Sequence, residues 1–316
     1  MESPESCKST HGDREIHVVH MESKDRNDAY LDKTRLLMDR MGAHELYSVE
    51  VWRAALTELV ATATLMFTLT ASIISCLNSH EPDPKLLIPF VVFAIVFLFL
   101  MTTVPLSGGH MSPVFSFIAT LRGLISPTRA AIYVLAQCLG SIMGFIIIKS
   151  VMSPEAAMKY SLGGCTVVGT GAAPGLAPAA ALVLEFSCTF VVLFVGVTVA
   201  FDPKRCEEHG LTIVCMVVAG AMGLVVFVST TVTGQPGYAG VGLNPARCLG
   251  PALLQGGPLW DGHWVFWVGP FIACIVYYGY CKNMPTGRLL MGEEYDFVHS
   301  IRVVCGRRQS QEATKL

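Results

Sequence analysis

The sequence predicts an all-α membrane protein with six transmembrane helices plus two half-helices in an inverted repeat. Three observations predict it: six apolar runs of membrane length, a one-sided distribution of lysine and arginine, and an internal duplication. Of 316 residues, 52% are hydrophobic and 15% charged, and mean hydropathy is +0.53. An ordinary soluble domain carries about 25% charge. Windows of about 20 apolar residues, enough to cross a hydrocarbon core about 30 Å thick, fall at 51–77, 86–106, 129–149, 178–200, 211–232 and 262–281.

Loops that retain lysine and arginine stay cytoplasmic during insertion. The segment through Arg53 holds eight of them, the second-to-third connection has Arg122 and Arg129, the fourth-to-fifth Lys204 and Arg205, and the C-terminal segment six; that is eighteen of 22 on one side. The other side has Lys85, Lys149 and Lys159, with Arg247 inside an apolar region. Both termini are therefore expected to be cytoplasmic. Residues 1–48 read as a disordered polar tail, 49–282 as one membrane domain with repeats at 51–149 and 178–281, and 283–316 as a second tail. No apolar h-region precedes the first run, which predicts a signal anchor rather than a cleaved leader.

The duplication is legible in two places. Glu58-Leu-Val-Ala-Thr62 in the first span matches Glu185-Phe-Ser-Cys-Thr189 in the fourth, an offset of 127. Ser112-Pro113-Val114 after the second span matches Asn244-Pro245-Ala246 after the fifth, an offset of 132. Each half has three spans, so the halves enter the membrane in opposite orientations, an arrangement that places a functional site near the midplane. Serine and asparagine cap helix N-termini, and proline suits the first helical position because its missing N–H is not needed there. About ten apolar or small residues follow each motif, roughly 15 Å of helix. Each is a half-helix, and Gly108, Gly109, Gly240 and Gly242 supply the backbone freedom its descending loop needs.

These residues resemble the major intrinsic proteins, the aquaporin family, over residues 50–282. Within it, Ser112-Pro-Val114 in place of the usual N-P-A, Asn244-Pro-Ala-Arg-Cys248 and Leu162-Gly-Gly-Cys165 look like the X intrinsic proteins, a branch found in plants and fungi. The resemblance implies an hourglass fold, one pore per subunit, a homotetramer and a plasma-membrane location. It also implies a pore without enzymatic activity.

Two half-helices meeting by their N-termini bring two positive dipole ends, each about half a charge, to the pore centre. That repels cations and spares uncharged solutes. Asn244 offers an amide to a passing solute, and Ser112, being shorter, predicts a wider centre. Arg247 is either a rim residue or a functional charge; the resemblance places it in the filter at the outer mouth. Counting from the pore motifs puts Val92 and Val241 in that filter, with the fifth-span position at Val232 or Thr231. Such an apolar ring favours small uncharged solutes over a bare file of water. The resemblance points to glycerol, urea, boric acid and hydrogen peroxide.

Glu58 and Glu185 allow two readings, a proton relay or acceptors for loop backbone; the resemblance implies the second, with His110 packing beside the first motif. His209, beside Glu207 and Glu208, reads as a pH-sensitive gate or a solvated loop residue. Ser310 in Arg307-Arg-Gln-Ser310 is a candidate phosphosite. Eleven cysteines without CxxC spacing argue against a zinc site or disulfide framework; Cys165 and Cys248 are the pair to test for a bond, although spacing does not establish proximity. A net charge of −2 and the lack of a basic stripe give no reason to expect nucleic acid. No cluster of metal ligands, cofactor motif or nucleophile–base set is present in the sequence. A secondary transporter remains the competing class; beyond the two glutamates the spans offer it no ion-coupling residue.

Overall fold

The computed structural model describes residues 38, 41–79, 81, 83–169, 175–233, 238 and 240–283. The principal helices among them are α1 Val49–Leu77, α2 Pro84–Ser107, α3 Pro113–Leu121, α4 Pro127–Val151, α5 Pro178–Ala200, α6 Pro203–Val232, α7 Pro245–Gln255 and α8 Val265–Asn283. Six are long and apolar enough to cross a membrane, and α3 and α7 are the two short ones. The predicted fold class is thus observed.

Local chemistry starts these helices where they start. Proline opens α2, α3, α4, α5, α6 and α7, pre-setting φ at a position whose N–H would be orphaned. Side-chain oxygens accept the orphan donors that follow: Ser126 from Arg129 N at 3.0 Å and Asp202 from Lys204 N at 3.0 Å. Gly108 ends α2 in the left-handed region, φ 96°, with its N–H donated to the Val104 carbonyl.

Close packing rests on small residues. A Cβ on Gly140 or Gly144 of α4 would lie 2.4 Å from the Leu59 or Ala63 carbonyl oxygen of α1. Likewise Gly223 of α6 sits on the Pro89 carbonyl of α2, and Gly250 of α7 on Ser141 and Phe145 of α4. In lipid, where burial of apolar surface gives little drive between helices, such backbone approach supplies the contact. Ser141 adds a bond, its hydroxyl donating to the Ala246 carbonyl at 2.6 Å.

Two boundaries and one internal turn differ from the sequence reading. The fifth span, expected from residue 211, is preceded by a helical stretch from Pro203, and the two meet at Gly210 with φ 73° and ψ 161°; only glycine adopts that backbone cheaply. The fourth span contains a π-turn, Leu193–Val197, where Gly196 meets Val218 of α6. The last span starts at Val265 rather than 262, after a series of tight turns such as Trp260 N to Gly257 O at 3.0 Å. Contacts divide the chain into two units; the first, up to Ile275, holds every described residue discussed below, and the described part of the second is the end of α8.

Candidate functional site

The two half-helices carry matching entrances. Met111 and Leu243, each immediately before the cap, have φ of 47° and 57°, a left-handed conformation rare for such side chains. Ser112 then accepts from Val114 N at 3.3 Å, and Asn244 from Ala246 N at 3.1 Å and Arg247 N at 3.4 Å. The two caps also touch: the Asn244 amide donates to the Met111 carbonyl at 2.8 Å. Both positive helix ends therefore meet at one point.

Each left-handed residue is held by a glutamate from the first span of its own half. Glu58 Oε1 accepts from His110 N at 3.0 Å and Oε2 from Met111 N at 2.6 Å. Glu185 accepts from Gly242 N at 2.5 Å and Leu243 N at 3.2 Å. Both carboxylates are wholly buried. Glu58 takes two further donors, the Ser107 hydroxyl at 2.6 Å and the Gln137 amide at 2.8 Å. Gln137 also donates to Ser116 Oγ at 3.0 Å, which lies 3.1 Å from His110 Nδ1. His110 stands edge-on to Tyr133, ring centroids 5.4 Å apart. Buried charges persist only when fully hydrogen-bonded, and these bonds transmit the position of α1 and α5 to the half-helix entrances.

Two cavities lie on either side of this junction. One, about 300 Å³, is bounded by Val92, Thr230, Gly240, Val241, Asn244 and Arg247, and reaches Tyr160 and Gly163. The other, about 290 Å³, is bounded by Gly109, His110, Phe115, Phe201 and Leu211 among others. They share no lining residue.

The fifth-span position and Ser112 sit in the structure as follows. Neither Thr231 nor Val232 lines either of these two cavities; Val232 is 65% exposed, the Thr231 hydroxyl donates to the Phe227 carbonyl at 2.9 Å, and Thr230 lines the 300 Å³ cavity. A helix turns about 100° per residue, so a shift of one residue in the count moves the side chain to another face. Ser112 is buried, 3% exposed, and lines neither of these two cavities. Asn244 reaches over to Met111, so part of its donor capacity is committed within the protein. Pro113, Val114, Pro245 and Ala246 are buried inside the half-helix starts.

Cys165 and Cys248 are bonded, with Cα atoms 5.1 Å apart. Arg247 donates from Nη1 to Cys165 Sγ at 3.0 Å and from Nη2 to the Gly163 carbonyl at 3.5 Å. His209 is exposed on the stretch before Gly210, and Ser310 lies outside the described residues. Sequence reasoning missed Gln137, Ser107, Gly163 and Thr230. Of these only Gln137 carried a signal, a polar side chain in the middle of an apolar span.

The model of the family described as Major intrinsic protein matches residues 45–278. The chain belongs to the major intrinsic protein family. This major intrinsic protein is 30% identical to the aquaporin PIP-type protein of Atriplex canescens, over 81% of this chain and 86% of that one. It is 33% identical to aquaporin PIP2-7 of Musa acuminata, over 73% and 80% of the two chains. Among solved structures, the aquaglyceroporin from Plasmodium falciparum superposes with a TM-score of 0.60 at 19% identity, over 74% of this chain and 96% of that one; this likeness concerns the fold. The chain is an integral, multi-pass membrane channel, and its family is one of channels, not enzymes.

Proposed function

We propose that this channel conducts small uncharged solutes, glycerol, urea, boric acid and hydrogen peroxide, and passes water poorly. The observation that carries this reading is the outer cavity, which Val92, Thr230, Val241 and the guanidinium-bearing Arg247 line together. The two valines offer a water file no hydrogen bonds, and each partner that the file loses there is costly. A solute with several hydroxyls keeps one end on Arg247 and Thr230 and its carbon skeleton against the valines. Cations meet the Arg247 charge and then the two half-helix ends at Asn244 and Met111.

The motifs Ser112-Pro-Val114, Leu162-Gly-Gly-Cys165 and Asn244-Pro-Ala-Arg-Cys248 support placing the chain in the X intrinsic protein branch. A homotetramer in the plasma membrane with both termini cytoplasmic fits the family and the lysine and arginine distribution. On this orientation the 300 Å³ cavity is the outer one.

Flux of glycerol and boric acid into vesicles holding the purified protein tests the proposal. Flux linear in concentration, with low activation energy and no response to an ion gradient, is expected. Saturable or gradient-driven flux contradicts it and returns the secondary-transporter reading.

A further inference from the structure

The loop over the outer cavity contains an unfavourable turn. Ser161, Leu162 and Gly163 are consecutive left-handed residues, with φ of 47°, 52° and 68°. Two of them carry side chains, and such conformations persist only where surrounding structure holds them. Local bonds close the turn, Gly163 N to Tyr160 O at 2.8 Å and Gly164 N to Ser161 O at 2.9 Å. On one side Leu162, 1% exposed, is sunk into the apolar cluster around Met66 and Leu69. Gly163 itself lies so close to α1 that a Cβ would fall 2.3 Å from Thr70 Cγ2. On the other side the turn is fastened only two residues later, by the Cys165–Cys248 bond.

Cys248 follows Arg247 in the first turn of α7, so the loop is attached to that helix at two consecutive residues, covalently at 248 and by hydrogen bonds at 247. Room for the bond is made by Gly242, where a Cβ would sit 2.4 Å from Cys248 Sγ and 3.2 Å from Cys165 Sγ. The Gly163 carbonyl that receives the guanidinium lines the same cavity as the guanidinium.

We propose that Cys165 and Cys248 are positioning residues for solute discrimination: their bond holds the 161–163 turn over the cavity so that the Gly163 carbonyl and Cys165 sulfur fix Arg247 in one orientation. This rests on the channel reading above. Without the bond the turn relaxes, the guanidinium loses its partners and swings, and the outer mouth admits larger solutes more readily relative to smaller ones.

The test compares glycerol and urea flux in vesicles for the wild type, C165S/C248S, R247V and the triple variant. The ratio of glycerol to urea flux is expected to rise about three- to tenfold in C165S/C248S, the scale of one lost hydrogen bond. In the R247V background the same serine pair is expected to leave the ratio unmoved, since coupled residues are non-additive; a loss of general stability lowers both fluxes together and leaves the ratio alone. An unchanged ratio in C165S/C248S, or an equal change in the R247V background, overturns the proposal. If the serine pair fails to reach the membrane, peptide mapping of the unreduced wild type and the flux ratio of C165A decide: a linked Cys165–Cys248 peptide with a raised ratio supports the clamp, and free thiols or an unmoved ratio overturn it. A wild type with no solute flux sinks the channel reading instead.

Discussion

The Asn244 side-chain amide donates to the Met111 carbonyl at 2.8 Å, joining the caps of the two half-helices. Asn244 also accepts two backbone N–H groups of α7, whereas Ser112 accepts one of α3. Asn244→Ala is therefore expected to destabilise the protein by more than the typical cap loss of about 1 kcal/mol, and Ser112→Ala by less. Thermal unfolding of both variants in detergent checks this; equal shifts would mean that the link between the halves contributes nothing.

The two buried glutamates are predicted to be unequal. Glutamine at either position turns an amide toward backbone N–H donors, each buried donor left unsatisfied costing about 1–3 kcal/mol. Glu58 serves four donors and Glu185 two. Glu58→Gln is expected to lower the melting temperature more than Glu185→Gln, and Ser107→Ala to lower it modestly. A larger effect at Glu185 would contradict the bond inventory.

Helix contact through glycine makes a third prediction. At Gly144 an added Cβ meets the Ala63 carbonyl, while at Gly220 it meets nothing within 4 Å. Gly144→Ala is expected to cost about 1–3 kcal/mol from overpacking. Gly220→Ala is expected to be neutral or stabilising, by up to about 1 kcal/mol of helix propensity. Surface abundance and melting temperature of the two variants would reveal the contrast, and similar losses would refute it.

The half-helices were legible because Ser112-Pro113 and Asn244-Pro245 combine a cap with a first-turn proline and recur at matching points of a repeat. The glutamates were legible because a carboxylate in an apolar span needs partners. Thr230 was not, since a one-residue error in counting rotates a side chain to another face. Nor was the Gly163 carbonyl, because backbone acceptors carry no residue signature. The link between the caps through Asn244 and Met111 depends on a left-handed residue at 111, and nothing in a methionine announces one.

Burial holds His263 below the ordinary histidine range, a shift that the Leu259 carbonyl opposes more weakly. Its ring nitrogens lie 3.3 Å from that carbonyl and 3.3 Å from the Trp267 indole nitrogen, which donates to Nε2. The unfolded chain thus binds a proton more readily than the folded one, so stability falls as pH drops below about 6.5 and is unaffected above it. The melting temperature is expected to drop between pH 7.5 and pH 5.5, and His263→Gln to reduce that drop. An identical drop in the variant would place its origin elsewhere.

The filter assignment is the centre of the account, and a side-by-side flux assay on water, urea, glycerol and boric acid tests it most directly. Vesicles with the wild-type protein are expected to take up the three solutes faster than control vesicles while water permeability barely rises. With Val241→Phe, which places an aromatic ring in the outer cavity, glycerol and boric acid uptake are expected to fall toward the control. High water permeability in the wild type, or undiminished uptake by Val241→Phe at normal abundance, would contradict the account.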